Sequence, residues 1–373
     1  MADTNSTTAP ASASSPPKTS TAGPGATVDH SASSPPPTAT PEIAVDPHPR
    51  FQATEDDDDD NDSALGDESD LSTASISSTI LQYRKIHGRT YHNFETSGDY
   101  WAPNDATQNE QLDINHHLLT LALDNKLYLA PLEKPAKVLD IGTGTGIWAI
   151  DFADEFPECQ VIGLDLSPIQ PSWVPPNCKF ELDDASKTLT YPDNTFDYVH
   201  IRYMVGCFKD WDAVYREAYR VLKPGGWIEH MDCSAGVYSD DGSIPQDSPF
   251  KTWKDLFHEV GLKMGQTFEV VDDDRYVGWM KSAGFANVEN RLIKTPVGSW
   301  PADKKWKDVG QFNQLMLEMG LEGFGLFALT TVLGWGYDET QVFLAKVRAG
   351  LKNKAWHGYC TWGAAWGQKP LEG

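Results

Sequence analysis

The chain has 373 residues with 30 Lys+Arg against 54 Asp+Glu, a formal net charge of −24. Residues 1–79 carry 2 basic and 14 acidic residues and the rest 28 and 40, so neither part has the positive field that phosphate-backbone binding requires, which excludes a general nucleic-acid binder. Five widely spaced cysteines without a C-x-x-C pair exclude a zinc ribbon or dithiol centre, and no apolar run of about 18 residues reads as a transmembrane segment.

Residues 1–41 are almost wholly Ala, Ser, Thr and Pro, and Glu55 to Asp62 places seven acids in eight positions. With Phe51 as its one aromatic, 1–79 buries too little apolar surface to offset its ordering entropy and is expected to be a disordered tail. The remainder, 80–373, is predicted to be one α/β domain with a helical cover. Its divisions are an N-terminal cover over 80–134, a core half over 135–232 and a C-terminal half with cover helices over 233–373. No N-terminal leader pattern is visible, and an intracellular location, nucleus and/or cytoplasm, is expected.

After an aromatic stretch from Gly88 to Phe94 and another from Tyr100 to Asp105, Asp105 is predicted to cap a helix with Leu112, Leu118, Leu119 and Ala122 on its apolar face. The adjacent His116 and His117 diverge by about 100° on such a helix and cannot share a metal. Beyond Pro135, short apolar runs alternate with helical stretches. Strands are predicted at 137–141, 161–164, 179–182, 196–201 and 227–231, with helices at 147–156 and 211–222. This alternation implies right-handed crossovers and a parallel sheet covered on both faces. Further on, helices are predicted at 250–264, 272–283, 309–334 and 338–351, a strand at 288–295 and a last strand within 356–368.

Val138-Leu139-Asp140-Ile141-Gly142-Thr143-Gly144-Thr145-Gly146 sits where a strand turns into a helix. Glycines there let the backbone approach a ligand, and the helix N-terminus offers unpaired N–H groups. A dinucleotide fingerprint needs its third glycine at position 147, which is Ile147, and no Gly-Lys-Ser/Thr follows for a triphosphate loop. What remains suits S-adenosylmethionine (SAM), whose amino-acid end has no pyrophosphate. Asp165 ends the second strand, where a carboxylate can accept from both ribose hydroxyls. Asp183-Asp184-Ala185 ends the third, beside the expected base.

Loop, Asp165, Asp184 and the turn Leu222-Lys223-Pro224-Gly225-Gly226 together resemble class I SAM-dependent methyltransferases. Gly88 to Phe94, Tyr100 to Asp105, Glu110 to His117 and Leu166-Ser167-Pro168-Ile169-Gln170-Pro171 resemble the LaeA-like fungal group in particular. The resemblance implies a Rossmann-like, seven-stranded, mostly parallel sheet whose last strand is antiparallel. It implies that Asp140, Gly142, Thr143, Gly144 and Gly146 hold the methionine end of SAM, Asp165 and Leu166 the ribose and adenine, and Asp184 and Ala185 the base. It also implies association with velvet-type regulators of development and secondary metabolism, or a biosynthetic role in tailoring a metabolite.

Methyl transfer rests on alignment and exclusion of water, with a general base if the acceptor is a hydroxyl or protonated amine. His200 and Arg202 near the fourth strand's end, and Glu229, His230 and Asp232 near the fifth's, are placed to line the acceptor side. His200 and His230 are the candidate bases, and packing histidines are the plainer alternative. Tyr91, Tyr100 and Trp101 are either a lid or a packing cluster. The acceptor is a small molecule or a protein. Two competing readings are a SAM-binding interaction module with little turnover and, more weakly, an NAD-dependent oxidoreductase.

Overall fold

A computed structural model describes residues 83–92 and 100–371; the tail expected over 1–79 lies outside them. The first described element is one that no periodicity announced. Strands β1 (Arg84–Ile86) and β2 (Arg89–Tyr91) form an antiparallel hairpin around His87 and Gly88, both at positive φ. Two such residues are what a tight hairpin turn demands. Helix α1 (Ala106–Ala122) starts as expected, with the Asp105 carboxylate accepting from the Gln108 N–H at 3.0 Å. Arg89 donates to the same carboxylate at 2.8 Å, which ties the hairpin to the helix start.

The main sheet is built from β3 (Lys137–Ile141), β4 (Gln160–Asp165), β5 (Cys178–Leu182), β6 (Phe196–Arg202), β7 (Leu222–Tyr238), β8 (Ala286–Pro296) and β9 (Tyr359–Gln368). Their spatial order is β5-β4-β3-β6-β7-β9-β8. β3 to β7 pair in parallel and β9 runs antiparallel to both neighbours, so the seven-stranded sheet has the direction expected of its last strand. The order reverses at β3, with β4 on one side and β6 on the other. Ligands in open α/β sheets bind at the carboxyl edge of such a switch point.

Helices α2 (Ile147–Glu155), α3 (Trp211–Val221), α4 (Pro249–Met264), α5 (Arg275–Ala283), α6 (Lys304–Leu326) and α7 (Tyr337–Leu351) complete the described elements, with a 3-10 turn, Asp272–Asp274, preceding α5 and a π-helical turn, Phe327–Val332, extending α6. One face of α3 is buried: Trp211, Val214, Tyr215, Ala218 and Val221 all pack inward, and Asp210 caps the helix by accepting from the Ala213 N–H at 2.9 Å. Lys304–Val332 is long and apolar enough to cross a membrane by length and composition. Over half of an 18-residue apolar stretch within it is buried inside the fold; on the same helix Gly310 sits so close to the Gly298 carbonyl that a Cβ would collide, and the Asn313 side chain donates to the Pro296 carbonyl at 2.8 Å.

β7 is far longer than the predicted 227–231. Pairing with β9 carries it on to Tyr238, past Asp, Ser and Gly residues that break any alternation. Glu229, placed by the sequence on the acceptor side, instead accepts from the Leu129 and Ala130 N–H groups at 2.8 and 2.7 Å. It is buried, and that burial pushes its carboxyl up to about 7. Glu229→Ala strands both amides and is expected to cost about 2–4 kcal/mol of unfolding free energy in urea titration. A loss within experimental error would remove this account of the residue.

Candidate cofactor and acceptor site

The glycine loop leaves β3 and is held by its neighbour strand. The N–H groups of Gly142 and Thr143 donate to the Leu164 carbonyl at 2.8 and 2.9 Å. Gly142 has φ 72, a conformation that favours glycine after the strand, and a Cβ there would also push the Met204 side chain aside. Gly146, at φ 81, precedes α2 and packs against the Phe180 ring. It is not among the walls of the crevice, and its close approach to Phe180 seats the helix on β5.

Around this loop lies a crevice of about 360 Å³, walled by Asp140, Gly142, Thr143, Gly144, Asp165, Leu166, Asp184, Ala185, His200 and Arg202 among others. Asp165 accepts from the Gly144 N–H at 2.7 Å and the Ser167 N–H at 2.9 Å, and burial raises its carboxyl to about 6. Asp184 accepts from the Ser186 N–H at 2.9 Å and hydroxyl at 2.6 Å, which fixes the turn beside Ala185. Gln170 donates to the Gly144 and Ser167 carbonyls at 2.7 and 2.9 Å. The Ile169-Gln170-Pro171 segment therefore braces the glycine loop from the far side of the Asp165 turn.

Asp140 is spent on positioning. One oxygen accepts from the Thr143 hydroxyl at 2.6 Å and the other from His200 Nδ1 at 2.7 Å. Because a carboxylate can only accept, Nδ1 carries the proton and His200 Nε2 keeps its lone pair. Burial lowers the His200 pKa to about 4, so the ring is neutral at ordinary pH, and it lies flat on Trp148 with centroids 3.6 Å apart.

His230 takes a different place. It has no exposed surface, contacts the Tyr215 hydroxyl at 2.6 Å and Asp232 at 3.2 Å, and stacks on Trp211. It is not a wall of the crevice, and neither are Glu229, which holds the Leu129 and Ala130 amides, and Asp232, which accepts from the Met204 N–H at 3.0 Å. As a correction, His230 is a packing histidine. His230→Phe should lower the melting temperature yet leave affinity for S-adenosylhomocysteine (SAH) within about twofold by calorimetry; a large loss of affinity with intact folding would return it to the site. Of the proposed lid, Tyr100 lines the crevice, whereas Tyr91 and Trp101 are buried in the core.

Two further groups complete the walls. Asn115 on α1 lines the crevice, and its buried Oδ1 has no partner. It shares a face with the buried Gln108 and Gln111, a polar stripe at helical spacing that was the available sign. Arg202, at the end of β6, donates through Nη2 to His116 Nδ1 at 2.9 Å, while His116 Nε2 contacts Asp151 at 2.9 Å. A guanidinium only donates, so His116 accepts on Nδ1 and carries its proton on Nε2 toward Asp151. Burial, the largest influence, holds His116 below its ordinary pKa, as a neutral relay requires. Arg202 is lowered by burial to about 10 and stays cationic.

These groups fit SAM. The orphaned Asn115 oxygen suits its ammonium, Arg202 its carboxylate, Asp165 its ribose hydroxyls, and Asp184 with Ala185 its base. Among the described residues no cluster of His, Cys, Asp and Glu could hold a metal.

Fold and crevice together define a class I methyltransferase, whose methyl donor is SAM. Residues 114–290 match a family model described as a methyltransferase domain. Methyltransferase pytC of Aspergillus terreus is 39% identical over 283 residues, 75% of this chain and 86% of that one. The secondary metabolism regulator LAE1 of Cochliobolus heterostrophus is 33% identical over 280 residues, 73% and 90% of the two chains. The protein-methionine methyltransferase laeA of Emericella nidulans is 29% identical over 292 residues, 78% and 77%. The chain belongs to the LaeA-like family of fungal methyltransferases.

Proposed function

We propose that this methyltransferase acts in the control of fungal secondary metabolism and development, working with velvet-type regulatory proteins in the nucleus and/or cytoplasm. The observation that carries the methyl-transfer part is the convergence of Asn115, Asp165, Asp184 and Arg202 on the crevice beside the glycine loop. Relatives named as secondary metabolism regulators support the regulatory part.

Bound SAM supplies a methyl group already activated by its sulfonium. The chain's own contribution is to hold and to exclude. Asp165 and Asp184 fix the nucleoside, Arg202 and Asn115 the amino-acid end, and the Asp140–His200 pair stiffens the wall between β3 and β6. The lone pair on His200 Nε2 is the group offered to a proton leaving a hydroxyl or amine acceptor.

The test is isotopic. Cells with and without the gene, fed methyl-labelled methionine, should differ in one labelled metabolite or protein, and a Gly142→Val variant should fail to restore it. Restoration of the null phenotype by that variant would favour an interaction module instead. A second reading, tailoring of a small metabolite, is supported by an apolar cavity that shares Tyr203 with the crevice.

A further inference from the structure

That cavity, of about 90 Å³, is several times the ~10–15 Å³ that one water needs. It lies beneath α4, α6 and α7 as a partly open pocket with largely aromatic walls: Trp101, Phe257, Phe268, Phe324 and Trp362 are each 8% exposed or less. Tyr203 walls both this cavity and the donor crevice. It follows β6 in a left-handed backbone conformation, φ 57, that a bulky side chain rarely adopts, and is held there by its N–H donating to the Met231 carbonyl at 2.9 Å.

Two features show that the space is built rather than left over. Between Cys233, opposite Trp362, and Val237, opposite Cys360, β7 carries three residues where β9 has one. That bulge, Ser234 to Gly236, lines the cavity, and bulges commonly shape sites at sheet ends. Trp362 is 1% exposed and its indole N–H has no acceptor in the protein. A buried donor left unpaired is costly unless a ligand satisfies it.

We propose that this cavity receives the methyl acceptor, and that the acceptor is a small, planar, apolar molecule with an oxygen that takes a hydrogen bond from Trp362. Tyr203 stands between it and the donor. The proposal rests on the methyltransferase reading above. A peptide backbone does not suit the space, since its amides would find too few partners among these rings.

The test uses the full chain, with phenol and benzene as probes and tryptophan fluorescence as readout, alongside a separate calorimetric titration of SAH. The wild type is expected to bind phenol about fivefold more tightly than benzene. Trp362→Phe should bring that ratio close to one. Leu321→Trp and Ala235→Leu, which fill the cavity from opposite sides, should each weaken both probes at least about tenfold while SAH affinity, the check on folding, stays within about twofold. A wild type that binds SAH but not phenol overturns the cavity proposal alone. So does a filled variant that still binds SAH and holds both probes as before. A wild type that fails to bind SAH overturns the methyltransferase reading, and the acceptor role with it, even where phenol binds.

Discussion

Asp165→Ala is expected to lower SAH affinity about a hundredfold, because it removes the strand-end carboxylate proposed to accept from both ribose hydroxyls. The pH profile identifies the cause. Burial raises the Asp165 carboxyl to about 6 in the free protein, and the hydroxyls donate to its ionised form, so binding draws that pKa down. Affinity should be flat above about pH 7 and fall toward tenfold per unit as pH drops below 6, until the bound-state pKa is reached. The unliganded fold has the opposite sign. Ionised Asp165 burdens it above pH 6, and the burden lifts as pH falls from 6 toward the ordinary carboxylate value. Asp165→Asn should flatten this limb of the binding curve; an unchanged slope in that variant would assign the titration elsewhere.

Arg202→Gln should be comparably severe, about a hundredfold in SAH affinity, since it leaves the ligand carboxylate without its cation. Arg202→Lys is not expected to restore it. The guanidinium donates to His116 through one nitrogen while the residue also walls the crevice, and its several donors in a planar fork are what a single ammonium at the end of a flexible stem does not reproduce. His116→Phe should weaken SAH by a smaller factor, about fivefold to tenfold, by freeing Arg202 from its relay. Adenosine, which has no amino-acid end, supplies the control. Its binding should be nearly indifferent to Arg202, and a loss equal to that of SAH would show that the residue supports the fold rather than the ligand.

Local rules made much of this arrangement legible. Asp105 before an apolar face reads as a cap and is one; Gly142 before a helix reads as a loop that needs a positive φ and has it. The strand-end carboxylates Asp165 and Asp184 fell on the crevice because strand alternation and a parallel sheet leave few other places for them. What escaped depends on contacts between distant segments. Asn115 acts from a helix that precedes the sheet. His230 looked like a base from its position near a strand end, and only the packing of Tyr215 and Trp211 around it shows that both nitrogens face inward. The three-residue strands of the hairpin are too short to show alternation. The β7 bulge, invisible as a pattern, exists because β9 pairs on both sides of it.

The helix that begins at Asp105 brings Asn115 and His116 to a crevice whose glycines belong to a different part of the chain. A protein trimmed to start at the first parallel strand would keep the whole glycine signature yet forfeit both Asn115 and the brace on Arg202. The crevice is thus a joint product of two stretches of sequence, and the signature by itself is only half of the lock.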